Sequence, residues 1–149
     1  MLVGVPGSGK STWVSNQPWA KDCAYISTDY HVEEYAKSVG KTYSEVFDEY
    51  MPKAVKLMAD DVVRAREAGK DIIWDQTSTG KNARAKKFKM LPKYEAIAVV
   101  FKTPEPTELA RRLASRPGKN IPDHVMKQMI ENFSMPTKGE GFKEIRIIQ

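Results

Sequence analysis

At 149 residues the chain has length for one domain with a buried core, since domains run at roughly 100–200 residues. Its 41% hydrophobic and 29% charged residues exclude collagen-like, low-complexity and largely disordered classes, and the net charge of +5 favours an anionic partner such as a nucleotide or nucleic acid. No apolar run nears the ~18 residues of a membrane-spanning helix and the first residues lack a signal-peptide layout, so a cytoplasmic protein with no membrane partner is expected.

Apolar runs of strand length alternate with longer segments of helical period, the pattern of an α/β fold with a mainly parallel sheet and helices on both faces. Leu2-Val3 reads as the stub of a first strand and Cys23-Ala24-Tyr25-Ile26 as the second. Cys23 is the only cysteine, which excludes an internal disulfide and a cysteine-based zinc site, and it reads as a small buried hydrophobe. Thr42-Tyr43-Ser44-Glu45 fits a capping box, and Phe47, Tyr50, Met51, Ala54, Met58, Val62 and Ala65 then recur at helical spacing as core, with Gly69 as the stop. Asp71-Ile72-Ile73-Trp74 is the third strand, Ala96 to Phe101 the fourth and Ile145-Arg146-Ile147-Ile148 the last. Between the fourth and fifth, Pro122 opens a helix whose apolar face is Val125, Met126, Met129 and Ile130.

Gly4-Val5-Pro6-Gly7-Ser8-Gly9-Lys10-Ser11 matches G-x-x-x-x-G-K-[ST] between a strand and a helix, the pattern of a phosphate-cradling P-loop. Backbone N–H groups around Gly7, Ser8, Gly9 and Thr12 face phosphate oxygens, Lys10 reaches the β- and γ-phosphates, and the Ser11 hydroxyl can hold Mg²⁺. No Asn-Lys-x-Asp is present to read guanine, which leaves a small ATP- and Mg²⁺-dependent phosphotransferase or a bare ATPase or nucleotide-binding module. A kinase also needs a group to take the acceptor hydroxyl's proton. Asp29 follows the second strand and Asp75 ends the third, at the carboxyl ends where parallel sheets bind ligands. Asp29 is the candidate base, while Asp75 either holds Mg²⁺ through water or orients the acceptor. Arg116 precedes the breaker-rich Pro117-Gly118-Lys119-Asn120, a layout that suits a helical lid closing an arginine over the phosphates. Arg111 and Arg112 read as helix-face charges or as one of each kind, with Arg112 assigned to ATP beside Arg116. Lys81, Arg84, Lys86, Lys87 and Lys89 form a basic cluster that either faces solvent or contacts a nucleic-acid backbone. On the acceptor side the candidates are His31, Thr77 and Arg84.

The P-loop through Trp13, Ile26-Ser27-Thr28-Asp29, Ile72 to Thr77, and Thr107 to Arg116 continuing to Ile121-Pro122-Asp123-His124-Val125 together resemble the kinase module of phage-type polynucleotide 5′-hydroxyl kinases, within the small P-loop kinases. The resemblance implies a P-loop kinase fold, Lys10 and Ser11 on phosphate and magnesium, Asp29 as general base, Asp75 as an essential carboxylate and Arg116 on the donor phosphates. It also implies that Pro136 to Phe142 lies near the adenine, and a host cytoplasm if the protein is phage-encoded. One departure stands out: the family often carries an arginine three residues after its base aspartate, and this chain has Val32. The expected activity is transfer of the γ-phosphate of ATP to a polynucleotide 5′-hydroxyl. A hydroxymethyl-modified base in DNA, a small hydroxylated metabolite, or no acceptor at all remain as alternatives.

Overall fold

Every strand pairing in the fold is parallel. The computed structural model describes residues 1–149. β1 (Leu2–Val3), β4 (Ala96–Phe101) and β5 (Phe142–Ile148) form one ladder in the order β1-β4-β5, and β2 (Ala24–Ile26) pairs with β3 (Ile72–Trp74) in a second. The Gly4 N–H donates to the Thr77 carbonyl at 2.9 Å, and Leu2, Ile73, Val99 and Phe101 share one core cluster, so β3 lies beside β1. Ala98 to Phe101 are buried without interruption, as an apolar strand covered on both faces requires. This is the α/β P-loop kinase fold, with helices flanking a parallel sheet.

The helices are α1 (Lys10–Ser15), α2 (Thr28–Ser38), α3 (Tyr43–Glu67), α4 (Lys81–Met90), α5 (Pro106–Ala114) and α6 (Asp123–Glu131). None is long and apolar enough to cross a membrane. α3 starts at the expected capping box, where Thr42 Oγ1 accepts from the Glu45 N–H at 3.2 Å and Glu45 Oε1 accepts from the Thr42 N–H at 3.0 Å. Its core face differs in one place. Val46 is buried against Val32, Ala36 and Ala54 on the α2 side, and this rotates Phe47 outward to tilt against Tyr43.

Strand ends shift for local reasons. Cys23 does not join β2 and is not enclosed: its N–H closes the 3-10 turn Pro18–Asp22 by donating to Ala20 O at 3.1 Å, and its thiol is only half-buried. β5 begins at Phe142 rather than Ile145 because its pairing with β4 runs back to Ala96 across an irregularity at Ala96/Ile97. Pro122 caps α6 and Asp123 is the first helical residue, while Ile130 leaves the expected apolar face and is exposed. α5 and α6 pack onto the P-loop through Val5, Leu109 and Met126.

The basic cluster on α4 is not one solvated face. Lys81, Lys86 and Lys89 are exposed, whereas Arg84 is 0% exposed and Lys87 is buried with its ammonium 5.5 Å from the Trp74 ring centroid. Burial, reinforced by Arg84, lowers the Lys87 pKa to about 8. Arg84 Nε and Nη2 donate to Glu140 at 2.8 and 3.3 Å, and Nη1 donates to Ser78 O at 3.0 Å, clamping the loop after β3. Removing one partner of a buried pair strands the other charge, so Glu140→Ala is expected to cost about 3–5 kcal/mol in denaturant unfolding. An Arg84→Met/Glu140→Leu double variant should regain wild-type stability or exceed it. The Arg84 hydrogen bonds hold the Glu140 carboxyl below its ordinary value of 4.5. The pair therefore contributes fully above that value and its contribution is lost as pH falls through the lowered native one. An unchanged unfolding midpoint in Glu140→Ala would show that the pair contributes nothing.

Candidate active site

Gly7 (φ 83°) and Gly9 (φ 100°) take left-handed backbone that lets the chain from β1 into α1 curl on itself. Ser8 Oγ is buried beside Gly4 without a hydrogen-bond partner, and Lys10 Nζ donates to the Gly4 and Val5 carbonyls at 2.8 and 3.0 Å. Burial lowers the Lys10 pKa to about 8, against the opposing pull of Asp75 and Asp29 and with a smaller push from Arg116. One residue on, Ser11 Oγ donates to Asp75 Oδ2 at 3.1 Å. The loop and the carboxyl ends of β2 and β3 thus enclose one cleft of about 840 Å³.

Asp75 leaves the end of β3 almost buried, and its Oδ2 also accepts the hydroxyl of Tyr25 from β2. Burial and the Asp75 contact raise the Tyr25 pKa, so the phenol stays a donor at neutral pH. Asp29 sits in the first turn of α2, which Ser27 caps by accepting from the Tyr30 N–H at 3.3 Å. The aspartate is therefore not spent on the cap. Its Oδ1 instead accepts from Tyr43 OH at 2.6 Å, and the residue faces the cleft together with Thr77. Gln76 is held between Trp74 Nε1 at 2.9 Å and Thr28 Oγ1 at 3.2 Å.

Arg112 and Arg116 reach the cleft from the lid side. Arg112 is tied down, donating from Nη1 to Gly7 O at 3.1 Å and from Nε to Glu108 at 2.9 Å, while Arg111 pairs with Glu108 on the surface. Two acceptor candidates lie elsewhere. Arg84 is enclosed against Glu140 and Ser78 and cannot touch a substrate, and His31 Nε2 bonds Asp61 Oδ2 at 2.6 Å in a separate hollow along β2. Val32 is in the core, and residues 138–141 pack toward α4 through Glu140 and the Phe88 ring. Tyr25 and Tyr43, each donating to one cleft carboxylate, were not among the expected site residues; the apolar run of the second strand and the capping box placed them, yet neither pattern shows which way a phenol points.

Magnesium takes one or two protein oxygens and fills the rest with phosphate and water, and the Ser11 hydroxyl beside the Asp75 carboxylate fits that need. The Lys10 ammonium and the Ser11–Asp75 pair suit a magnesium-bound triphosphate. Fold and site define a nucleotide-binding P-loop protein of kinase or ATPase type. Residues 1–136 match the AAA domain family, and the chain belongs to it.

Proposed function

We propose that this protein is an ATP-dependent kinase that transfers the γ-phosphoryl group to a hydroxyl, with the 5′-hydroxyl of a polynucleotide as acceptor. The observation that carries this reading is the Asp29 carboxylate on the wall of the cleft that also holds Lys10, Ser11 and Arg116. When bound, magnesium–ATP would supply the phosphoryl group and a divalent charge to offset the charge of the phosphates. Ser11 and Asp75 would hold the ion, and Lys10 with the loop N–H groups holds the phosphates. Asp29 takes the acceptor's proton, and Arg116 offers a planar fork to equatorial oxygens. Because an ammonium cannot reproduce that fork, Arg116→Lys should lose turnover nearly as fully as Arg116→Ala. A fully active lysine variant would remove Arg116 from this role.

The test is a screen with γ-labelled ATP against 5′-hydroxyl DNA and RNA oligonucleotides, duplex DNA containing hydroxymethyl pyrimidines, small hydroxylated metabolites, and water alone. Label on the 5′ end is the expected result; label elsewhere, or hydrolysis only, overturns it. A strand held by ~2–4 phosphate contacts should also lose affinity about 7–50-fold between 50 and 200 mM salt, with a slope near −0.7 per contact. Alanine at the exposed Lys81, Lys86 and Lys89 should flatten that slope and leave ATP affinity unchanged. An unaltered slope would show that α4 does not touch the strand. One observation favours a second reading: the arginine position of the resembled family is here Val32, fully buried, and His31 is committed to Asp61. An acceptor with no phosphate beside its hydroxyl, on a modified base or a metabolite, fits that wall.

A further inference from the structure

Three elements meet at the first turn of α3. Tyr43, its first residue, donates from its hydroxyl to Asp29 Oδ1 at 2.6 Å. Lys119, from the loop after α5, places Nζ 4.6 Å from the centroid of the Tyr43 ring and pairs with Glu33, one helical turn beyond Asp29 on α2. The same loop is bound through its backbone: the Ser44 N–H donates to Gly118 O at 2.9 Å, and the Asn120 N–H to Ser44 Oγ at 2.7 Å. Gly118 lies so close that a Cβ there would come 2.8 Å from Thr42 Cβ. The loop that carries Arg116 is therefore seated on the residue that grips Asp29.

A carboxylate base has two equivalent oxygens and a soft terminal torsion, so its proton-accepting atom is undefined until one oxygen is fixed. We propose that Tyr43 is a positioning residue for phosphoryl transfer: it fixes Asp29 through Oδ1, leaves Oδ2 as the proton acceptor, and is itself held by Lys119 of the lid loop. This rests on the reading of Asp29 as the base. The charged and titratable groups around that carboxylate are Lys10 from the P-loop, Arg116 and Lys119 from the lid loop, Glu33 from α2 and Tyr43 itself. Burial and the nearby Asp29 charge push the Tyr43 phenol well above its ordinary value, so it serves as donor and not as an alternative base.

The experiment is a pair of double-mutant cycles in transfer from γ-labelled ATP to a 5′-hydroxyl oligonucleotide, using Tyr43→Phe, Asp29→Asn and their combination, and Lys119→Met alone and with Tyr43→Phe, each checked for folding by thermal unfolding. Tyr43→Phe should lower kcat about 10–100-fold, the worth of a hydrogen bond to a charged group, with KM for ATP unchanged. In the Asp29→Asn background it should have no further effect, because the base it positions is gone. Lys119→Met should lower kcat in the presence of Tyr43 and not in Tyr43→Phe. Losses from Tyr43→Phe and Asp29→Asn that multiply, or a Tyr43→Phe enzyme with wild-type kcat, overturn the assignment while leaving the base intact. A Lys119→Met loss that persists in Tyr43→Phe overturns the tie to the lid loop. Wild-type turnover in Asp29→Asn overturns the underlying reading and this assignment together.

Discussion

Replacing Lys10 with alanine is expected to lower phosphoryl transfer by about 10²–10³-fold or more, the cost of removing a preorganised charge from a site shielded from water. The ammonium is pinned to the Gly4 and Val5 carbonyls, so it stands in the loop at a set position and need not be recruited. No other side-chain cation belongs to the loop. Arg112 reaches it but is already engaged by Gly7 and Glu108, and Arg116 approaches from the lid side. Burial opposes the Lys10 charge, which places its pKa at about 8, so the residue lowers stability while serving function. Lys10→Met, which keeps the length and drops the charge, should therefore melt no lower than wild type while losing as much turnover as alanine. Steady-state labelling and a thermal scan on the same preparation check both halves. Turnover within tenfold of wild type in either variant would sink the role of Lys10 in transfer.

What could be read from sequence was what is local. The P-loop is contiguous, so its glycines, Lys10 and Ser11 declare a phosphate cradle without reference to the rest of the chain, and the α3 capping box needs only four residues. Asp29 and Asp75 were legible for a different reason: parallel strands bring their carboxyl ends to one edge, and an apolar run that stops in a carboxylate marks that edge. The failures at the candidate site involve partners distant along the chain. Arg84 reads as an acceptor contact or a solvated cation because Glu140, which neutralises it, is 56 residues away. His31 reads as an acceptor contact until Asp61, 30 residues on, takes its ring. Tyr43 was legible as a helix start and illegible as a donor to Asp29, since that contact exists only once α2 and α3 pack through Val32, Ala36, Val46 and Ala54.

Asp29→Asn should leave ATP affinity within a few-fold of wild type and reduce turnover by about 10²–10⁴-fold, the range for loss of a general base. The amide keeps the shape of the carboxylate and can still accept from Tyr43 through its oxygen, so α2, α3 and the lid loop stay as they are. What it cannot do is take a proton. ATP binding should be spared because the donor cradle is built from Gly4 to Ser11, and Asp29 bears on it through its charge opposite Lys10. Titration of ATP together with single-turnover labelling separates the two effects. A parallel fall in affinity would make Asp29 a magnesium or structural residue. Asp29→Glu sharpens the comparison: it retains the charge but moves the oxygens by roughly 1 Å, and a misplacement of that size costs up to ~10²-fold where geometry limits the reaction. A base acting by position should lose turnover in both variants, with the glutamate less affected, whereas a residue needed only for its negative charge should be rescued by glutamate in full.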